Sequence, residues 1–161
     1  MAGDELETYL TDHLAGAGSG VDLARRVAEM AQGTAAGPAL REVAEAVEAD
    51  RQVLADLVDR LGSGQRALKQ AAAWAAEKAS RLRLNRASAG SAELALLMSM
   101  EALSAGVEGK RALWQALQAA APDEPAVAGL DLEALEERAA AQLDALEAQR
   151  RALAPAAIGR G

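Results

Sequence analysis

Cysteine and phenylalanine are absent from this chain, and histidine and tyrosine occur once each. Without cysteine there is no disulfide framework, no thiolate zinc site and no cysteine nucleophile, and a cytoplasmic location fits that absence. Aromatic residues make up only 2% of the sequence, so the core must be built from Leu, Ala, Val and Met. Nucleophilic catalysis needs a general base, and this chain offers only one histidine for that role. The sequence therefore does not support an enzyme of that kind.

A net positive charge and long hydrophobic runs are also missing. The formal net charge is −7, which argues against binding to nucleic acid or anionic lipid, because both depend on clustered Lys and Arg. No run approaches the ~18 consecutive apolar residues of a transmembrane helix. The acidic start of the chain, with Asp4 and Glu5, differs from the basic start of a signal peptide. We therefore expect a soluble cytoplasmic protein that binds neither nucleic acid nor membrane.

What the sequence does contain is a series of apolar stripes with helical spacing. Apolar residues three and four apart mark one face of a helix, and Gly or Pro between such stretches marks the ends. The stripes predict helices over residues 4–32, 39–61, 65–84, 91–121 and 130–154. No segment alternates with the two-residue period of a strand.

These elements predict an all-α fold, an antiparallel bundle of four long helices and one shorter helix. A chain of 161 residues suits a single domain, which buries about 70% of the surface of its unfolded form. We therefore expect one domain over residues 1–161, with a loose tail from about residue 155.

A glycine-rich run from Gly16 to Gly20 interrupts the first stripe. Three glycines inside a helix cost ~1 kcal/mol each relative to alanine, which favours a break. The apolar phase nevertheless continues, because Ala17 and Ala24 fall on the same face as Leu10. We expect one continuous helix in which Gly16 and Gly20 allow a close helix crossing. A phosphate-binding loop is disfavoured, since it needs a preceding strand.

A few ionisable side chains fall inside the apolar stripes. His13 lies at the centre of the first stripe, and Asp50 lies in the second. Glu101 and Glu108 are two helical turns apart and share one face of the fourth predicted helix. An unpaired buried ionisable group costs at least ~2 kcal/mol, so each of these side chains is either paired or part of a site.

Two interpretations of these residues remain open. In the first, His13 is a core histidine hydrogen-bonded to Asp50 or Glu101. In the second, iron or manganese is bound by carboxylate and histidine ligands drawn from Asp12, His13, Asp50, Glu101 and Glu108. A second, larger apolar face on the fourth predicted helix favours the first interpretation, because it would leave Glu101 and Glu108 in solvent.

The helix lengths and order resemble the ferritin-like fold. The stretches 9–16 (Tyr-Leu-Thr-Asp-His-Leu-Ala-Gly) and 74–79 (Trp-Ala-Ala-Glu-Lys-Ala) resemble segments of small bacterial proteins of that fold. Dimetal members of the fold carry two Glu-x-x-His pairs. No Glu-x-x-His occurs in this chain, and its one histidine could not supply two such pairs. The resemblance therefore implies a bundle without a competent dimetal site and brings no activity with it.

We expect one of two functions. The leading hypothesis is a scaffold without a cofactor, which binds a second copy or another protein through apolar surfaces such as the narrow stripe of the last helix. The alternative is a bundle that binds a metal or a small ligand through its inward carboxylates. A basic cluster near the end of the third predicted helix is explained by the helix dipole, with an anionic partner as the alternative; it comprises Lys78, Arg81, Arg83 and Arg86.

Overall fold

The computed structural model of the protein describes residues 2–62 and 90–159. Within these residues the backbone forms four α-helices and no β-strand, namely α1 (Ala2–Met30), α2 (Gly37–Arg60), α3 (Ala92–Ala120) and α4 (Leu132–Ile158). The all-α prediction is therefore confirmed for this part of the chain. The helix predicted over 65–84 and the basic cluster at its end lie outside the described residues.

The four helices pack into a bundle made of two helical hairpins. α1 packs along α2 and α3 packs along α4, while α1 also contacts α3 and α2 also contacts α4. Each helix thus has two packed neighbours, and the four together enclose an aliphatic core. Among the described helices, none combines the length and the hydrophobicity that a membrane span requires.

Local sequence explains where the helices begin and end. α3 begins after Ser91, whose Oγ accepts a hydrogen bond from the Leu94 N–H at 3.1 Å. Asp131 caps the start of α4 in the same way. Such caps satisfy backbone N–H groups that have no partner inside the helix. Beyond the end of α2, Gly62 has a φ of 81°, a left-handed conformation that favours glycine.

α3 supplies much of the core. Its larger apolar face is turned inward, and the buried residues of this face include Met100, Leu103, Val107, Trp114 and Leu117. Trp114 is the largest fully buried side chain of the described residues. The core is otherwise aliphatic, as the shortage of aromatic residues requires.

The bounds of α1 and α4 bear on two predictions. α1 runs without interruption through the glycine run, as the continuous apolar phase predicts. α4 continues through Pro155 to Ile158, whereas the sequence predicts an end at 154. Beyond the proline, the Gly159 N–H donates to the Pro155 carbonyl at 3.0 Å, so the helical hydrogen-bond spacing is kept in the last turn.

Candidate functional site

Asp50 of α2 lies inside the bundle and is 1% exposed. Its carboxylate accepts hydrogen bonds from Arg138 Nε at 2.6 Å and from Gln142 Nε2 at 2.8 Å, both on α4. Lys110 of α3 donates to the same carboxylate through Nζ. These four residues, which we call the Asp50 cluster, connect α2, α3 and α4.

The Asp50 cluster sets two cations against one carboxylate, because Lys110 and Arg138 both form ion pairs with Asp50. Gln142 Oε1 also accepts a hydrogen bond from Lys110 Nζ. Burial lowers the pKa of Lys110 from its ordinary value, and the negative charge of Asp50 opposes this change. The carboxylate is thus fully paired, as a buried charge must be, and the cluster keeps one positive charge in excess.

A cavity of about 540 Å³ lies between α1, α2 and α3, and Asp50 and Lys110 form part of its wall. Sites for small molecules have volumes of about 300–1,000 Å³. The cavity therefore has the size of a ligand site. Aliphatic side chains from all three helices line it, namely Leu23, Val47, Leu54, Leu103, Val107 and Leu113.

Small residues on α1 and α3 create this cavity. α1 contributes Gly16, Ala17 and Gly20 to the wall, and α3 contributes Ala102, Ala105, Gly106 and Gly109. A Cβ atom built at Gly20, Gly106 or Gly109 would have no neighbour within 4 Å among the described residues. The close helix crossing predicted at Gly20 is therefore not observed, because the missing side chain leaves open space there.

Trp114 of α3 is 0% exposed and lies in the cavity wall. Its indole Nε1 has no hydrogen-bond partner among residues 2–62 and 90–159. Buried donors are nearly always paired, and an unpaired one costs about 1–3 kcal/mol. Thr11 Oγ1 is also buried without a partner in these ranges, but Thr11 is not among the described wall residues. The indole nitrogen is itself fully buried, so this donor has no surface through which a molecule in the cavity could reach it.

His13 of α1 also lies in the cavity wall and is half-buried. Its ring packs edge-to-face against Tyr9, with 4.6 Å between the ring centroids. Burial lowers the pKa of His13 from its ordinary value of 6.5, and the charge of Asp12 opposes this change. The imidazole is therefore neutral at pH 7 and has one donor and one acceptor nitrogen.

The structure brings together three of the five candidate ligands. Asp12, His13 and Asp50 line the same cavity, whereas Glu101 and Glu108 are exposed and lie outside its described wall. The expected hydrogen bond from His13 to Asp50 or Glu101 is not observed, because Asp50 binds the other residues of its cluster. Glu101 instead pairs with Arg150 at 3.5 Å. In the described part of the chain, no three His, Asp or Glu side chains are placed to hold a metal ion.

Four residues of the site escape the sequence-based prediction: Lys110, Arg138, Gln142 and Trp114. A signal for two of them is nevertheless present in the sequence. Lys110 lies four residues before Trp114, in phase with the buried stripe of α3, and Gln142 lies between Ala139 and Leu146 in the stripe of α4. A polar residue at a stripe position departs from the helical pattern and so marks a buried polar group.

No protein-family model matches the chain, and neither a curated protein nor a solved structure is significantly similar to it. The function is therefore inferred from the cavity and its wall. This wall combines an aliphatic lining with a buried ion pair between Asp50 and Lys110.

Proposed function

We propose that the protein binds a small, largely apolar molecule in the cavity between α1, α2 and α3. The observation that carries this proposal is the cavity itself, whose volume of about 540 Å³ and aliphatic lining suit a small apolar molecule. A ligand with an apolar body would give the wall atoms the van der Waals contacts that an empty cavity lacks. This gain favours the bound state.

The chemistry of the wall supports a ligand of this kind. Sites for small molecules are lined mainly by apolar side chains, with a few polar groups that fix the orientation of the ligand. Here the aliphatic lining meets polar side chains that include His13 and Lys110. The ligand that fits this wall is largely apolar and places its few polar atoms beside these side chains.

The Asp50 cluster supports the wall from within the bundle. Asp50 is bonded to α3 through Lys110 and to α4 through Arg138 and Gln142. The side chain of Lys110 is therefore held in one position before any ligand arrives. A wall that is ordered in advance lowers the entropy cost of binding. In this proposal the cluster fixes the shape of the cavity.

The scaffold hypothesis, with self-association or a protein partner, stays a prediction with weaker support. Among the described residues, the large exposed hydrophobic side chains are Tyr9, Met98 and Ile158, and they lie on three different helices. Protein interfaces use contiguous apolar patches, whereas single exposed hydrophobic residues are common. Membership of the ferritin-like fold, a bacterial origin and a cytoplasmic location also stay proposals, which rest on helix lengths, helix order and composition.

Titration with the neutral fluorescent probe N-phenyl-1-naphthylamine tests the proposal. The matched variants are Gly20→Leu and Gly18→Leu. Both glycines lie in α1 with open space around them, but Gly20 lines the described cavity and Gly18 does not. We expect saturable binding to the wild type, an affinity lowered about tenfold or more in Gly20→Leu, and little change in Gly18→Leu.

Circular dichroism and thermal melting of both variants show whether the helical fold is retained. Two outcomes would overturn the proposal. One is the absence of saturable binding by the wild-type protein. The other is equal binding by the two folded variants, because this would place the probe outside the cavity.

A further inference from the structure

The wall of the cavity differs in exposure from one helix to another. On α2, the wall residues Val47, Asp50 and Leu54 are buried. On α3, the wall includes a set of residues that are small and exposed, namely Ala102, Ala105, Gly106 and Gly109. α2 therefore forms a buried floor of the cavity, and α3 gives the cavity an exposed edge.

The exposure of this edge is exposure to the solvent outside the cavity. Leu103, Val107 and Leu113 of α3 line the same cavity, and all three are buried. Contact with the cavity by itself thus gives a residue little accessible surface. The four small residues contact the cavity and also have a surface in water, so they mark a place where the cavity and the solvent meet.

This edge lies on the side of α3 that faces α1. α4 packs on a different side of α3, where Arg111 and Gln115 contact Glu136 of α4. α1 contacts α3 and contributes wall residues that are themselves partly exposed, among them Gly16 and Ser19. The two helices α1 and α3 thus border one opening of the cavity.

We propose that the ligand enters and leaves the cavity between α1 and α3, across the edge formed by Ala102, Ala105, Gly106 and Gly109, which we call the mouth. None of these residues has a side chain larger than a methyl group. A Cβ atom built at Gly106 or Gly109 would meet no described atom within 4 Å. A larger group attached at the mouth would therefore stand in the path of the ligand and leave the aliphatic wall unchanged.

This inference rests on the proposed ligand-binding function and specifies how the ligand reaches its site. An obstacle at the mouth slows entry and exit alike, because the ligand crosses the mouth in both directions. It changes the equilibrium affinity little, since Kd is the ratio of the two rates and the bound state is unaltered. Slower association and dissociation at nearly unchanged affinity are therefore the signature of a mouth.

Reversible attachment of glutathione to single cysteines tests the inference. The chain has no cysteine, so Ala105→Cys and Ala112→Cys each carry one thiol, which forms a mixed disulfide with oxidised glutathione. Both alanines are exposed on α3 and lie about two helical turns apart. Ala105 belongs to the mouth, whereas Ala112 is not among the described wall residues.

Stopped-flow fluorescence with N-phenyl-1-naphthylamine measures the two rates. We expect glutathione on Ala105→Cys to slow association and dissociation about tenfold each and to change Kd less than about threefold. Dithiothreitol removes the glutathione and should restore the rates of the wild-type protein. Glutathione on Ala112→Cys should change neither the rates nor the affinity.

Circular dichroism of each form shows whether the helical fold is retained. If Ala105→Cys does not fold, Ala102→Cys takes its place, because Ala102 is also exposed and belongs to the mouth.

The outcomes separate the route from the binding function. If the wild-type protein does not bind the probe, the ligand-binding function fails, and the mouth fails with it. If glutathione on Ala105→Cys leaves both rates unchanged, the function stands and the mouth is overturned. Equal slowing at positions 105 and 112, or a thiol at position 105 that does not react with oxidised glutathione, would also overturn the mouth. A large loss of affinity would place Ala105 in the binding surface and overturn its role in the route.

Discussion

Two charged clusters of this bundle use the same kinds of side chain in opposite surroundings. In the Asp50 cluster the carboxylate is 1% exposed and is bound by residues of two other helices. The second cluster lies on the surface of α4, where Glu147 pairs with Arg150 and Arg151, and Arg150 also reaches Glu101 of α3. We call it the Glu147 cluster, and its central side chain is 40% exposed.

The difference shows that location, and not the number of ion pairs, decides what a charged cluster does. Hydrogen bonds from Arg150 and Arg151 lower the pKa of Glu147 to about 2. Water would solvate each of these groups well if the pairs were broken, so exposed pairs add little stability. Water cannot solvate Asp50 in this way, because removal of one partner leaves an unpaired charge inside the bundle. Only the Asp50 cluster can therefore hold a cavity wall in place.

The largest effect is expected from Asp50→Asn. The substitution keeps the shape of the side chain but removes the negative charge that compensates Lys110 and Arg138. Breaking a buried ion pair from one side costs about 3–5 kcal/mol. We therefore expect the free energy of unfolding in urea to fall by about this amount, with a lower melting temperature.

The double variant Asp50→Asn/Lys110→Met is the control for this prediction. It removes the carboxylate and one of its cations together, so it should cost less than the sum of the two single substitutions. If Asp50→Asn lowers the free energy of unfolding by less than about 1 kcal/mol, the Asp50 cluster contributes no more to stability than an exposed ion pair. The buried and the exposed cluster would then have the same effect on stability.

The sequence predicts the elements of the fold better than the contacts of the site. Caps and breakers such as Ser91 and Gly62 act locally, so they identify helix ends without knowledge of the tertiary structure. The partners of Asp50 lie on α3 and α4, and their choice depends on which helices become neighbours. Gly20 is equally ambiguous in the sequence, because a missing side chain allows either a close crossing or an open space.

Gly20→Leu and Gly18→Leu should change stability less than Asp50→Asn does, and in the opposite direction. A side chain at either position has open space around it, and leucine is a better helix former than glycine by up to ~1 kcal/mol. We expect urea unfolding to give both variants a stability equal to or above that of the wild type. A loss of more than about 1 kcal/mol in Gly20→Leu alone would indicate strain from overpacking and restore the close crossing.

His13 should give the protein a weak dependence on acidity. Burial lowers the pKa of His13 below 6.5 in the folded protein, so the unfolded chain binds the proton more readily. Stability therefore rises with pH between the folded pKa and 6.5 and is constant above that value. His13→Gln should reduce the pH dependence of the melting temperature between about pH 5 and 7. Identical pH profiles for the variant and the wild type would contradict this assignment.

Glu147→Gln should have the smallest effect, and it is the same chemical change as Asp50→Asn in the opposite surroundings. The pKa of Glu147 is lowered from 4.5 to about 2, so its ion pairs contribute at pH values above 4.5 and are lost as the pH falls toward about 2. Because Glu147 and its partners remain in contact with water, we expect no measurable change in urea unfolding at pH 7. A titration followed by NMR should still show the low pKa of Glu147 in the wild type. A loss of stability equal to that of Asp50→Asn would show that the Glu147 cluster also holds α3 and α4 together, through the contact of Arg150 with Glu101.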